Sequence, residues 1–264
     1  MAVEKFHTVV LAPIYRSTSS KDDITIEQYA EKIIAFSQKA EAVRRSSDFA
    51  DVILSVGNEL VLETSGIING SSYSDRHDQL GQYWRSVASR ERLNDYLKGI
   101  VDGVRGCFHG KITYKKLGGG DQGGGGENVK WNELGFDIVG SNEYVGTRYW
   151  TETQELKAVR DLKLYGKPVF ITEFGTCSYV GATKSGGSAA MRYSNESYSQ
   201  EEQVNCIVQS LRLYQLATAG RTMSTKRLLQ QARALRICIS HGSKDGSLQS
   251  CHFSQTQICE FDSI

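Results

Sequence analysis

Two glutamates stand out in this chain for the company they keep. Glu59 ends the run Asp51-Val-Ile-Leu-Ser-Val-Gly-Asn-Glu59, and Glu173 lies in Lys167-Pro-Val-Phe-Ile-Thr-Glu-Phe-Gly175. In each, a short apolar and β-branched run leads into an acid with a glycine close by. Such runs read as strands buried on both faces, of the parallel-sheet kind. A carboxylate at the end of a buried strand is costly unless partners or chemistry compensate. Taken alone, Glu173 reads equally well as a structural acid hydrogen-bonded to a neighbouring loop. The second acid changes the balance. Three strand–helix units of roughly 35–40 residues each fill the interval from Glu59 to Glu173 and would bring both strand ends to one rim of a barrel. Paired carboxylates on such a rim suit glycoside hydrolysis. One protonates the leaving oxygen, and the other attacks the sugar carbon or activates water.

The motifs carry a resemblance. Gly57-Asn58-Glu59 on one strand and Ile171-Thr172-Glu173-Phe174-Gly175 on another resemble the signature pair of clan A glycoside hydrolases. More narrowly, residues 6–217 resemble a group of barrel proteins called "abortive infection protein". The matching segments are Leu11-Ala12-Pro13, Val56-Gly57-Asn58-Glu59-Leu60, Phe136-Asp137-Ile138-Val139-Gly140 and the stretch from Ile171 to Ala182. The resemblance implies a (β/α)8 barrel. It makes Glu59, after Asn58, the general acid/base at the end of the fourth strand, and Glu173 the nucleophile at the end of the seventh. Asn58 would bind the sugar 2-hydroxyl. Tyr144 would hold the nucleophile by a hydrogen bond, with Asn142 beside it on the substrate side. No cofactor is implied.

The elements that must position these residues follow βα grammar. Strand candidates lie near residues 8, 53, 113, 137 and 169. Helical spacing of apolar residues predicts helices over Ile26–Arg45, Ser89–Val104, Thr151–Tyr165 and Ser199–Ala217, the first capped by Thr25 or Asp23. Residues 60–89 read as a long rim connection, with Tyr83-Trp84 beginning a short helix. Tyr73, Tyr83 and Trp84 either stack on a sugar face or plug the barrel mouth. The glycine run Gly118–Gly126 lacks the Lys-Ser/Thr ending of a phosphate loop and reads as a flexible insert. A third rim motif, Phe136 to Tyr144, predicts a strand over Phe136–Val139. Glu143 in that motif is either an exposed loop residue, the favoured reading, or a rival for the acid role.

If Glu59 ends a fourth strand, Thr8–Leu11 is the third and two strands are missing in front. Where an eighth strand should follow, the stretch Thr218–Arg236 offers five cations, no acid and no Trp. The expected fold is therefore α/β, an incomplete TIM (β/α)8 barrel with five to six parallel strands alternating with helices. Residues 1–217 would be the partial glycosidase-like domain. Residues 218–264 would be an atypical tail in which only Ile237–Ile239 resembles a strand.

Bulk properties narrow the function classes. Among 264 residues, 23% are charged and 39% hydrophobic, as in ordinary globular proteins. A net charge of +1 argues against a nucleic-acid partner, which calls for a basic excess. No apolar run approaches the ~18 residues of a membrane span. Six cysteines without Cys-x-x-Cys spacing argue against a zinc site. The N-terminus lacks the apolar core of a signal peptide, so a cytoplasmic location with free thiols is expected. The expected partner is a carbohydrate or glycoside, with no cofactor and no metal. The alternative is a non-catalytic carbohydrate-binding or interaction protein on a degenerate barrel. Aldolase or metal-hydrolase chemistry is disfavoured, because no lysine stands out at a strand end and no histidine cluster is present.

Overall fold

The computed structural model of the chain describes residues 8–13, 24–47, 49, 51–118, 126–143, 152–174, 180, 199–219 and 259–260. It is an α/β fold of parallel strands alternating with helices, an incomplete TIM barrel. The strands are β1 (Thr8–Leu11), β2 (Asp51–Asn58), β3 (Lys111–Lys116), β4 (Val139–Asn142), β5 (Val169–Glu173) and a two-residue β6 (Cys259–Glu260). They follow one another in the sheet in chain order. The chain forms two compact units, Met1–Ser141 with Leu164–Phe170, and Asn142–Lys163 with Ile171–Ile264.

In the first unit β1, β2 and β3 pair in parallel, with Thr8 opposite Asp51 and Ile53 opposite Lys111. Six successive residues of β2, Val52 to Gly57, are buried. A strand covered on both faces is apolar along its whole length rather than alternating. Helix α1 (Ile26–Ser46) opens with a reciprocal cap. Thr25 Oγ1 accepts from the Gln28 N–H at 3.2 Å, and Gln28 Oε1 accepts from the Thr25 N–H at 3.1 Å. Thr25, not Asp23, is therefore the cap. The face of Ile26, Tyr29, Ile33 and Ala40 is buried. Helix α5 (Val87–Arg105) is capped by Ser86, whose Oγ accepts from the Ser89 N–H at 3.1 Å, and buries Leu93, Leu97, Ile100 and Val104. It packs against α1 through Gly103, where a side chain would run into Ile34.

Two expectations are corrected here. The connection 60–89 has more helix than the short one expected at Tyr83-Trp84. It holds α2 (Leu60–Glu63), α3 (Tyr73–Asp78) and α4 (Leu80–Arg85). Its organiser is the buried Arg76, whose Nε donates to Leu62 O at 2.7 Å and Nη1 to Gly70 O at 3.2 Å. The strand read over Phe136–Val139 instead spans Val139–Asn142. The Asp137 carboxylate accepts the Ile112 N–H at 2.7 Å and pairs with Arg105, while the Asp137 N–H donates to Ile112 O at 3.0 Å. This side-chain clamp occupies the strand's approach, and regular pairing registers only at Lys115–Gly140 and Lys116–Ser141.

In the second unit α6 (Glu152–Lys163) packs against α7 (Gln200–Ala219). Val159 and Leu162 of α6 and Ile207, Leu211 and Tyr214 of α7 are buried. The expected strand Ile237–Ile239 lies outside the described residues.

Candidate active site

Asn58 is the last residue of β2, and Glu59 follows it. The pairing of β2 with β3 shifts register between Ser55 and Asn58. Ser55 Oγ donates to Gly57 O at 3.1 Å within this irregular turn of the strand. Such a bulge re-aims the side chains at a strand end. Glu59 then adopts φ 43° and ψ 50°, the only non-glycine residue with positive φ among the described residues. A residue with a Cβ pays roughly 1–2 kcal/mol to sit there. Positions of this kind collect at functional sites, where the surroundings enforce them. The Glu59 N–H donates to Lys115 O at 2.9 Å, which ties the turn to the end of β3. Glu59 is only 8% exposed.

A further acid, which the sequence reading passed over, lies against this turn. Glu127 follows the glycine run and is fully buried. Its Oε1 accepts the Val61 N–H at 3.0 Å, and its Oε2 accepts from Tyr114 Oη at 2.7 Å and from the Leu117 N–H at 2.9 Å. Burial pushes the Glu127 carboxyl above its ordinary range, against the pull of these donors and of the Lys116 charge. The Tyr114 hydroxyl is driven well above its usual value, first by burial and then by the Glu127 charge. Lys115 and Lys116, at the end of β3, are both buried. The reading that no lysine stands out at a strand end missed them, because a Lys-Lys pair ordinarily marks a solvated edge.

The chain from Gly126 to Phe136 is a pinned strap that buries Val129, Trp131, Leu134 and Phe136. Asn94 Nδ2 donates to Asn128 O at 2.9 Å, and its Oδ1 accepts the Lys130 N–H at 2.8 Å. Trp131 stacks edge-on against Phe136, with ring centres 5.1 Å apart. Tyr83 is buried, and its hydroxyl accepts the Asn128 N–H at 3.2 Å, which leaves no ring face open for a sugar. Trp84 is 39% exposed.

In the second unit, Glu173 is the last residue of β5 and is partly exposed. Its carbonyl accepts the Glu143 N–H at 2.8 Å. Asn142, the last residue of β4, is buried, and its Oδ1 accepts from Thr172 Oγ1 at 2.7 Å. Glu143 is only 1% exposed, which corrects its reading as an exposed loop residue. Its carbonyl accepts from Tyr214 Oη at 2.6 Å, and the Tyr214 ring meets Phe174 edge-on at 5.7 Å. Tyr144 lies outside the described residues. Each of Asn58, Glu59, Asn142 and Glu173 thus sits at or just past the C-terminal end of its strand. No group of three or more acids, histidines or cysteines suited to a metal occurs among the described residues. Nor is any described helix long and apolar enough to cross a membrane.

No family model matches the chain, and no curated protein matches it. Among solved structures, the fold is similar to that of a GH113 β-1,4-mannanase, at TM-score 0.48 and 18% identity, over 71% of this chain and 47% of that one. It is also similar to fungal β-1,4-galactanases, at TM-score 0.43 and 16% identity, over 78% of this chain and 58% of theirs. A Ruminococcus gnavus β-glucuronidase follows at TM-score 0.40 and 16% identity, over 73% of this chain and 28% of that one. The chain spans about half the length of the mannanase it resembles.

Proposed function

We propose that this chain is a retaining glycoside hydrolase-like protein whose chemistry rests on Glu59 and Glu173. The observation that carries the reading is the left-handed backbone of Glu59 at the end of β2. A buried acid held in an unfavourable conformation is costly for a purely structural residue and useful for a catalytic one. In this reading, Glu59 protonates the glycosidic oxygen as the bond breaks. Glu173 attacks the sugar carbon and forms a glycosyl ester. Glu59, now a carboxylate, takes a proton from water, and the hydroxide equivalent so generated cleaves the ester. Asn58 binds the sugar 2-hydroxyl, a contact that tightens toward the transition state. Asn142 and Tyr144 serve substrate binding in this reading. The reaction needs no cofactor, and the ligand is a glycoside or oligosaccharide.

The test is hydrolysis of a panel of nitrophenyl glycosides by the full chain and by Glu173→Gln. Wild-type turnover that falls by more than about a thousandfold in a folded variant supports the assignment. Equal rates in the two proteins remove it. Saturable oligosaccharide binding without turnover would point instead to a carbohydrate-binding protein on the same scaffold.

A further inference from the structure

We propose that Tyr114 and Glu127 are positioning residues that lock Glu59 in its left-handed conformation by capping the helix it opens. The inference rests on the assignment of Glu59 as the acid/base.

A polar residue at the start of a helix ordinarily caps it with its own side chain, which accepts from a backbone N–H two or three residues on. Glu59 stands at that place before α2, yet its side chain makes no capping hydrogen bond. Its neighbours make the bonds in its stead. Tyr114 Oη accepts the Leu60 N–H at 2.7 Å, and Glu127 Oε1 accepts the Val61 N–H at 3.0 Å. The two caps are joined, because Tyr114 Oη donates to Glu127 Oε2 at 2.7 Å. Glu127 is itself fixed to the residue after β3. Its Oε2 accepts the Leu117 N–H at 2.9 Å, and its own N–H donates to Leu117 O at 3.2 Å.

The sequence makes room for this clamp. A Cβ on Gly57 would stand 3.0 Å from Tyr114 Cε2 and 3.2 Å from Leu60 Cδ1 and Cγ, so a larger residue there would crowd the ring. The consequence for chemistry is specific. Because the orphan N–H groups of α2 are satisfied by Tyr114 and Glu127, the Glu59 carboxylate has no capping role in its own helix. Its backbone is held from both sides, by Lys115 O before it and by the clamp after it. A group that must deliver a proton at one atom gains from such fixing, since small misplacements reduce rates steeply.

The experiment is amide hydrogen exchange in the full chain, comparing Tyr114→Phe in two backgrounds. In the otherwise wild-type chain, Tyr114→Phe should speed exchange at Leu62 and Glu63, whose N–H groups bond the Glu59 carbonyl and not Tyr114, by at least about tenfold and leave Val52 to Leu54 of β2 unchanged. In a Glu59→Gly background the same substitution should speed exchange by less than about threefold, because glycine holds the left-handed conformation without help. The same acceleration in both backgrounds would make Tyr114 an ordinary structural hydrogen-bond partner and overturn the proposal. So would no acceleration in either. Glu127→Gln turns an amide donor toward groups that themselves donate and should give the same background-dependent pattern at Leu62 and Glu63, which covers a Tyr114 variant that fails to fold. If the wild type hydrolyses an aryl glycoside, Tyr114→Phe should lower kcat by about tenfold or more while KM changes less than about twofold. A wild type without turnover would remove the glycosidase reading and leave the exchange result to decide the clamp.

Discussion

At most sites alanine is more stabilising than glycine, and at residue 59 the order should reverse. The perturbation is a pair of variants, Glu59→Gly and Glu59→Ala. Both delete the carboxylate, so the loss of its interactions cancels between them and only the backbone term remains. The left-handed φ of 43° costs a residue with a Cβ about 1–2 kcal/mol, and glycine nothing. Against that, the unfolded chain gains freedom with glycine, worth about 0.4–1 kcal/mol. Glu59→Gly should therefore be the more stable of the two by about 1 kcal/mol, which corresponds to roughly 2–4 °C in Tm for a chain of this size. An ordinary strand or helix position would favour alanine by about 0.5–1 kcal/mol, so the sign alone decides. Urea unfolding followed by circular dichroism, with calorimetry alongside, measures it. Equal stability, or alanine ahead, would refute the strained backbone and with it the main physical reason for setting Glu59 apart.

Other outcomes follow from the same structure. Hydrogen bonds from Arg44, opposed by burial and helped by the His109 N–H, hold Glu41 down to about 2. A depressed carboxyl stabilises the fold above the ordinary carboxylate range and loses that contribution as pH falls from about 5 toward about 2. Linkage discounted for the solvent-exposed arginine partners leaves about 1 kcal/mol. The urea midpoint of the wild type should therefore drop between pH 7 and pH 3 by more than that of Glu41→Gln, and identical pH dependence would contradict the pairing. In α5, Gly99 faces open space while a Cβ on Gly103 would meet the Ile34 side chain, within 2.8 Å of its Cγ1. Gly99→Ala should raise stability by about 0.5–1 kcal/mol through helix propensity. Gly103→Ala should lower it by about 1 kcal/mol once that gain offsets part of the overpacking cost, and thermal melts of the two should move in opposite directions.

The parts legible in the sequence are those where burial leaves a continuous mark. β2 and β5 announce themselves because a strand covered on both faces must be apolar throughout. α1 shows its start through Thr25 and Gln28, and α5 shows its buried face through the spacing of Leu93, Leu97 and Ile100. The incomplete barrel follows from those elements and their order. What was not legible depends on contacts between residues distant in the chain. The displaced start of β4 results from an Asp137 carboxylate that bonds the backbone of Ile112. Beside the short helix expected at Tyr83-Trp84, two more lie where a loop is expected, next to a buried arginine that gathers the carbonyls of Leu62 and Gly70. The backbone of Glu59 gave no sign of itself, since a left-handed turn is usually flagged by Gly or Asn at the position itself. Here the nearest flags are Gly57 and Asn58, two residues and one residue early. Glu127 was hidden by the glycine run before it, which draws attention to flexibility. The signal available was the apolar sequence after it, Val129, Trp131 and Leu134, which buries the segment.

The most direct test of the central claim is the site of covalent attachment. The full chain is incubated with a panel of fluorinated aryl glycosides that leave a long-lived glycosyl ester, then digested and read by mass spectrometry. The account predicts a single glycosyl adduct on the peptide that carries Glu173, absent from Glu173→Gln, and longer-lived in Glu59→Gln, because an activated phenolate leaves without the acid while water loses its base. A stable adduct on any other residue, or labelling of Glu173→Gln at the wild-type rate, would contradict it.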